Sequence, residues 1–124
     1  MHLEHVNLTV SDLDRSLAFY RDLLGFRVRW EGRTSEGKPA AHVGRDSFYL
    51  ALFEGEGRPV EMDYGRVGFN HFGVVVDDLD AVRGRLAELG AKIHFEPEYE
   101  PGRRFYFCDP DGYEVELVEY PAAA

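Results

Sequence analysis

A strand-like segment occurs twice in this chain, and the second copy follows the first at a fixed distance. Residues 4–14 read EHVNLTVSDLD and residues 70–80 read NHFGVVVDDLD, so each copy begins beside a histidine and ends in an aspartate-rich turn. His5 and His71 hold the same place in the two copies, 66 positions apart. Self-similarity of this kind predicts a fold made by doubling a smaller unit.

Each half then follows the same order of predicted elements. Alternating apolar residues predict a strand at 3–10, and a stripe of leucines at helical spacing predicts a helix between caps at Asp12 and Gly25. Further strands are predicted at 26–30, 40–43, 48–53, 69–76, 92–95, 105–108 and 113–119, with a second helix closed by Gly90. The prediction is an α+β chain forming one domain over residues 1–124, with βαβββ modules at 1–58 and 67–121.

Charge and cysteine content narrow the possible partners and compartment. The formal net charge is −9, which argues against binding to nucleic acid or to an anionic membrane, since both require a basic surface. Cys108 is the sole cysteine, so no internal disulfide can form. The N-terminus lacks the basic and apolar regions of a signal peptide, and no apolar run approaches membrane-spanning length. We expect a cytoplasmic protein.

The repeat also indicates a candidate metal site. Aligning the last strand of each half places Glu116 at the position of Ala51, 65 residues earlier. The doubled fold therefore has four equivalent positions, occupied by His5, Ala51, His71 and Glu116. Two imidazoles and one carboxylate suit a first-row divalent metal and leave coordination positions open for water, substrate or dioxygen.

The same residues support a family resemblance that spans nearly the whole chain. It rests on the two histidine strands, on the run DLDRSLAFY at 12–20 leading to LGF at 24–26, and on DPDGYEVE at 109–116. In these features the chain resembles the vicinal oxygen chelate superfamily, which includes glyoxalase I, methylmalonyl-CoA epimerase, fosfomycin-resistance transferases, extradiol dioxygenases and bleomycin-binding proteins. The resemblance implies paired βαβββ modules whose curled mixed sheets enclose a metal or ligand cavity.

The resemblance further implies how the site is assembled and which metal it holds. In many short members two chains pair, so His5 of one chain would join His71 and Glu116 of the other in a homodimer. The expected cofactor is a divalent ion of Fe, Mn, Zn or Ni, which would chelate two neighbouring oxygens of a small-molecule substrate. The expected catalytic residues are Glu116, as a ligand, and Tyr106, which we also weigh as a ring of the core or cavity wall.

Departures from individual members narrow the expected reaction. Glyoxalase I carries a fourth ligand, usually Glu, where this chain has Ala51, so dioxygenase or three-ligand transferase or lyase chemistry is favoured over isomerisation. Glu54 lies three residues further along and faces the other side of the strand. Fosfomycin is not the expected substrate, because Asn7 replaces a threonine of those enzymes and the basic C-terminal extension is missing. Acid/base candidates for dioxygenase chemistry are His42, His94, Tyr106 and Tyr113.

Two alternatives remain open at this point. The chain could be a metal-free binding or sequestration protein of the bleomycin-resistance type, with an aromatic crevice at the dimer seam. Its wall candidates are Phe48, Phe53, Phe105 and Tyr113. Alternatively, the chain could be a non-catalytic subunit that retains its ligands.

Several other residues have both a functional and a structural interpretation. Glu114 would be a second carboxylate facing the cavity or a solvated side chain. Arg103 and Arg104 would clamp an anionic substrate or form a solvated pair, and we favour the solvated pair. The loop 96–103 would be a lid or a plain connector. Cys108 is expected to be a small buried residue without an activated thiolate.

Overall fold

The computed structural model describes residues 1–98 and 101–121 of the chain, which divides into two compact units, Met1–Arg58 and Pro59–Ala124. Each unit holds one helix and one four-stranded mixed sheet in the order βαβββ, which confirms the predicted pair of modules. In the part of the chain described, neither helix is long and apolar enough to cross a membrane. The loop 96–103, for which a lid and a plain connector were both considered, contains residues 99 and 100, which lie outside the described residues.

The first unit is built from four strands and helix α1. Its elements are β1 (His5–Val10), α1 (Leu13–Leu24), β2 (Arg27–Arg33), β3 (Pro39–Gly44) and β4 (Tyr49–Glu54). The strand order is β1-β4-β3-β2, with β1 parallel to β4 and the other neighbours antiparallel. Strand β2 extends three residues beyond its prediction. Its residues are all exposed, so the polar stretch at 31–33 gave no burial signal.

The second unit repeats this plan. Its elements are β5 (His71–Val75), α2 (Leu79–Glu88), β6 (Ile93–Phe95), β7 (Arg103–Cys108) and β8 (Glu114–Glu119), and its strand order is β5-β8-β7-β6. Strands β5 and β8 are parallel, as β1 and β4 are in the first unit. The first and last strands of each module are therefore neighbours. The candidate site includes residues that lie opposite each other on these paired strands.

Helix α1 begins and ends at the predicted caps, Asp12 and Gly25, for local physical reasons, whereas α2 has its C-cap at Leu89, one residue before the predicted Gly90. The Asp12 side chain accepts a hydrogen bond from the Arg15 N–H at 3.1 Å, and the Asp78 side chain accepts one from the Ala81 N–H at 3.0 Å. Gly25 has a φ of 68°, a left-handed conformation that glycine adopts without steric cost, and its N–H donates to the Arg21 carbonyl at 2.9 Å. The predicted apolar stripe of α2 is buried except at Leu89, which is 38% exposed.

The helix-facing side of each sheet forms the core of its unit. In the first unit Tyr20, Leu23 and Leu52 are fully buried. In the second unit Phe105 and Leu117 are fully buried and face each other across β7 and β8. Each such side chain contributes about 1.5–3 kcal/mol by leaving water. Successive strand residues point to opposite faces, so the residues between these core positions lie on the other face of each sheet.

Candidate functional site

The two repeated histidines are the first residues of equivalent strands. His5 begins β1 and lies opposite Tyr49 of β4, whereas His71 begins β5 and lies opposite Glu114 of β8. Two residues further along the ladder, Ala51 and Glu116 lie in equivalent registers. Each histidine therefore lies on the sheet face away from its helix. On that face His5 is next to Ala51, and His71 is next to Glu116.

The second unit brings two of the predicted ligands together. The His71 Nε2 atom lies 3.0 Å from Glu116 Oε1. The other oxygen of this carboxylate accepts a hydrogen bond from Arg104 Nη1 at 2.9 Å. The Glu116 side chain is 10% exposed and that of Arg104 is 13% exposed. Arg104 is thus part of a largely buried ion pair, whereas we had favoured a solvated arginine.

The separation between His71 and Glu116 fits two adjacent ligands of one metal ion. Donor atoms at 2.0–2.2 Å from a first-row ion and at right angles to each other lie about 3 Å apart. Among residues 1–98 and 101–121, no group of three or more His, Cys, Asp and Glu side chains has the arrangement of a complete metal site. Among the described residues, His71 and Glu116 are therefore a pair of adjacent potential donors rather than a complete ligand set.

A second carboxylate lies on the other side of the His71 ring. Glu114 is buried, and the Tyr64 hydroxyl donates a hydrogen bond to its Oε1 atom. The same hydroxyl lies 2.8 Å from His71 Nδ1. The second oxygen of Glu114 lies 2.6 Å from His94 Nε2. Glu114 thus joins two histidines and a tyrosine, and the solvated alternative for it is wrong.

Tyr64 is more than half exposed, but its hydroxyl reaches the buried carboxylate. Desolvation of the hydroxyl, the hydrogen bond to Glu114 and the charges of Glu114 and Glu116 raise the pKa of Tyr64 to about 12. The phenol therefore keeps its proton at neutral pH and acts as a hydrogen-bond donor. The segment that carries it is fixed to the second unit by a 2.7 Å hydrogen bond from the Val60 N–H to the Asp111 carbonyl.

Tyr106 occupies the wall of this cluster. It lies opposite Glu116 in the ladder, and its ring meets the His71 ring edge-on, with centroids 5.2 Å apart at 88°. Phe95 lies on its other side, with ring centroids 5.5 Å apart. An edge-to-face contact restricts rotation of the imidazole. Tyr106 remains a candidate catalytic residue, and its position beside His71 accords with both interpretations given for it.

The first unit surrounds His5 with a different set of side chains. The Glu4 carboxylate lies 2.9 Å from His5 Nδ1 and accepts a hydrogen bond from the Tyr49 hydroxyl at 3.2 Å. The Tyr49 ring is stacked on the His5 ring, with centroids 4.9 Å apart. Hydrogen bonds from His5 and Tyr49 lower the pKa of Glu4. The His5 side chain is 45% exposed, so this ring is accessible from outside the unit.

An aromatic column continues from Tyr49 across the sheet. The ring of His42 stacks on Tyr49 at 4.4 Å, and the Trp30 ring lies 4.8 Å beyond it. The Arg29 guanidinium lies over the Tyr49 ring at 4.7 Å. Burial, followed by the charges of His5 and Arg29, lowers the pKa of His42. His42, named above as an acid/base candidate, is consequently a half-buried ring of this column.

The position equivalent to Glu116 holds no ligand in the first unit. Ala51 is buried, and its carbonyl accepts a hydrogen bond from the Asn7 side chain at 2.8 Å. Glu54 lies on the opposite face, as predicted, where its Oε2 atom accepts a hydrogen bond from the Leu13 N–H at the start of α1 at 2.9 Å. Glu54 therefore cannot replace the missing carboxylate.

The remaining candidates lie away from these clusters or have structural contacts. Phe105 is fully buried under Arg83, with 5.1 Å from the guanidinium carbon to the ring centroid, so its assignment to a crevice wall is wrong. Phe48 packs against Phe26 at 5.5 Å between ring centroids. Arg103 is exposed and pairs with Asp80 at 2.7 Å, as expected for a solvated arginine.

Tyr64, Glu4 and Tyr49, which contact the two candidate histidines, were not predicted. Tyr64 lies in the glycine-rich connector, where no periodicity indicates which side chain turns inward. Glu4 immediately precedes His5, and a carboxylate beside a candidate ligand is the one sequence signal that could have identified it. His5 belongs to the first unit, and the His71–Glu116 pair belongs to the second.

Comparison with known proteins identifies relatives of several activities. A sequence model of the Glyoxalase/Bleomycin resistance protein/Dioxygenase superfamily matches residues 2–117. The chain is 33% identical to a glutathione transferase FosA from Serratia marcescens, with 93% of this chain and 78% of the relative aligned. It is 30% identical to a lactoylglutathione lyase from Haemophilus influenzae, over 96% of this chain and 93% of the relative.

A solved structure has the same fold. A glyoxylase/bleomycin resistance protein/dioxygenase domain from Frankia sp. EAN1pec superposes with a TM-score of 0.81 at 29% identity, and the alignment covers 98% of both chains.

Proposed function

Because the chain belongs to the glyoxalase/bleomycin resistance protein/dioxygenase superfamily, we propose that it is a metal-dependent enzyme with three protein ligands. A divalent Fe, Mn, Zn or Ni ion would bind His71 and Glu116 of one protomer and His5 of the other in a homodimer. The substrate would be a small molecule with two neighbouring oxygens. The favoured reactions are group transfer, lyase chemistry or dioxygenation, because Ala51 stands where isomerisation would need a carboxylate as the fourth ligand.

The donor atoms of the second unit carry this proposal. An imidazole nitrogen and a carboxylate oxygen 3.0 Å apart suit one first-row ion. A bound metal would act as a Lewis acid, polarising a substrate oxygen and stabilising the negative charge that develops on it. Arg104 holds Glu116 Oε2 through a charge-assisted hydrogen bond, which leaves Oε1 directed to His71.

The missing carboxylate argues against proton shuttling at a substrate carbon. Such a reaction needs a base that can accept a proton close to the reacting atom. Ala51 has no such group, and Glu54 caps α1 on the other face of the strand. The 33% identity to a glutathione transferase supports group transfer among the three favoured reactions. Tyr106 would restrict the His71 ring and form part of the cavity wall.

The first test is the metal content of the purified protein, measured by plasma mass spectrometry. Wild type is compared with His71→Asn and Glu116→Gln, and with the control variants His2→Asn and Glu88→Gln, which change exposed residues of the same types. We expect a near-stoichiometric first-row metal in wild type and in both controls, and its loss from both site variants. Chelator should lower the melting temperature of wild type but leave those of His71→Asn and Glu116→Gln unchanged.

Activity assays with the metal-loaded protein then separate the reactions. Suitable substrates are an epoxide with glutathione, the hemithioacetal of glutathione and an α-ketoaldehyde, and a catechol under oxygen. Turnover of the epoxide or the catechol supports the proposal, whereas isomerisation of the hemithioacetal at comparable rates contradicts the role assigned to Ala51. If wild type holds no metal and added ions leave its melting unchanged, metal-free small-molecule binding becomes the better explanation.

A further inference from the structure

Each of the two proposed ligand histidines has its Nδ1 atom next to a hydrogen-bonded pair of one tyrosine and one glutamate. In the first unit the pair is Tyr49 and Glu4, and in the second it is Tyr64 and Glu114. We propose, on the basis of the function proposed above, that these pairs are positioning residues that fix the imidazole tautomer and direct Nε2 of each histidine to the metal.

The hydrogen-bond chemistry of the second unit determines the tautomer of His71. The Tyr64 hydroxyl has a single proton, and it donates that proton to Glu114 Oε1. The 2.8 Å contact between the hydroxyl oxygen and His71 Nδ1 therefore requires the proton to be on Nδ1. In a neutral imidazole Nε2 then carries the lone pair, which is the form that binds a metal.

The contact on the other side of the ring is consistent with this assignment. The His71 Nε2 lone pair and Glu116 Oε1 face each other at 3.0 Å. Both are acceptors when the imidazole is neutral and the carboxylate is ionised, and two acceptors at this distance repel unless a cation lies between them. The tautomer that Tyr64 imposes thus creates a place for a positive ion between these two atoms.

Glu114 is held in place by contacts on both its oxygens. Its Oε2 atom lies 2.6 Å from His94 Nε2, while Oε1 accepts the Tyr64 proton. The carboxylate is 7% exposed, so it has little opportunity to exchange these partners for water. A buried carboxylate with two fixed partners orients Tyr64, and through Tyr64 it orients the His71 ring.

The first unit reaches the same result with the two residue types exchanged in position. Tyr49 and Glu114 occupy equivalent registers, opposite His5 and His71 respectively. In the first unit β4 supplies Tyr49, and Glu4 is the residue before β1. In the second unit β8 supplies Glu114, and Tyr64 comes from the connector. Glu4 accepts at 2.9 Å from His5 Nδ1, because an ionised carboxylate cannot donate.

The test combines metal affinity with a spectroscopic readout of the tautomer. Tyr64→Phe and Glu114→Gln are compared with wild type and with Tyr120→Phe, which removes a hydroxyl from an exposed tyrosine. Calorimetric titration with Mn²⁺ and Ni²⁺ measures the dissociation constant, and ¹⁵N chemical shifts of the metal-free histidine side chains report the tautomer. Thermal melts identify any variant that fails to fold. If Glu114→Gln proves unstable, Tyr64→Phe, which removes a single oxygen atom, still tests the inference.

We expect Tyr64→Phe and Glu114→Gln to weaken metal binding about 10- to 100-fold, with no change for Tyr120→Phe. Metal-free wild type should show His71 protonated on Nδ1, and this preference should be lost in Tyr64→Phe. Affinities within about twofold of wild type for both variants would overturn the inference, as would a His71 proton on Nε2. Absence of metal binding by wild type would instead overturn the proposed function, so the two failures are distinguishable.

Discussion

Ala51 and Glu116 occupy equivalent positions in two sheets that have the same strand order, and Glu116 is a potential metal ligand whereas Ala51 is not. Ala51 lies opposite Asn7 on β1 and His42 on β3, and Glu116 lies opposite Gly73 on β5 and Tyr106 on β7. The doubled fold thus supplies four equivalent positions, and three of them hold the ligands proposed above. This asymmetry gives a direct test of the site.

Replacement of Ala51 by glutamate should make stability dependent on metal. Ala51 is 5% exposed, so the metal-free variant buries an additional carboxylate and should lose about 1–3 kcal/mol of unfolding free energy. A first-row ion bound nearby would compensate that charge. We therefore expect added Mn²⁺ or Ni²⁺ to raise the melting temperature of Ala51→Glu more than that of wild type.

The matched control is Ala51→Gln, which has the same length without the charge. It should be destabilised to a similar extent but gain no more from metal than wild type does. Equal gains for the glutamate and glutamine variants would show that position 51 does not face the metal.

Removal of the helix-capping glutamates should destabilise each unit. Glu54 and Glu119 accept hydrogen bonds from the first helical N–H groups, those of Leu13 and Leu79, at 2.9 and 3.2 Å. Glu54→Ala and Glu119→Ala should each cost about 0.5–2 kcal/mol, measured by urea unfolding. Glu56→Ala, at an exposed position of the connector, is the control and should lie within about 0.5 kcal/mol of wild type.

Two glycines should respond in opposite directions to alanine. Gly112 has a φ of 88°, and an added Cβ would lie 2.5 Å from the Val60 carbonyl oxygen. Gly112→Ala should therefore cost more than about 1 kcal/mol and loosen the connector that carries Tyr64. Gly84 lies in α2, where an added Cβ meets no atom within 4 Å, so Gly84→Ala should stabilise the protein by about 1 kcal/mol. Thermal or urea unfolding of both variants checks the two signs.

The thiol of Cys108 should react slowly with alkylating reagents at neutral pH. Burial raises its pKa, and the negative charges of Glu114 and Asp109 add to the shift. The reactive thiolate is therefore scarcer at a given pH than in an unfolded chain, and the alkylation rate should rise at higher pH than for a free cysteine. Since the unfolded chain loses this proton first, the same shift reduces stability as pH rises through the alkaline range.

Iodoacetamide kinetics across pH 7–10 measure this profile. Glu114→Gln removes a negative neighbour and should move the profile to lower pH. A profile that matches that of a free cysteine peptide would contradict the raised pKa.

The helices, the module order and the helix caps were predictable because their signals are local. Asp12, Asp78 and Gly25 lie within one turn of the groups that they contact, so spacing along the chain was sufficient. The match of Ala51 with Glu116 was also predictable, because strand register follows from the repeat. The extent of β2 was not, since an edge strand that is exposed throughout shows no alternation.

The surroundings of the candidate ligands were not predictable for the opposite reason. Tyr64 contacts Glu114 across 50 positions, and Arg104 contacts Glu116 across a strand pair. Such contacts depend on how a connector folds back and on which of two adjacent arginines points inward. In this chain Arg103 reaches Asp80 on the helix side, whereas Arg104 faces Glu116, as alternation along β7 requires.

Side chains on the two faces of the last strand of each module have different roles. Glu54 and Glu119 attach the strand to the start of its helix, and residues 49, 51, 114 and 116 point to the other face. Substitutions at these four positions leave the attachment of helix to sheet untouched. Evolution could therefore add, remove or exchange ligands on this face while the scaffold stays intact, which offers a physical reason why one fold serves transferases, lyases and dioxygenases alike.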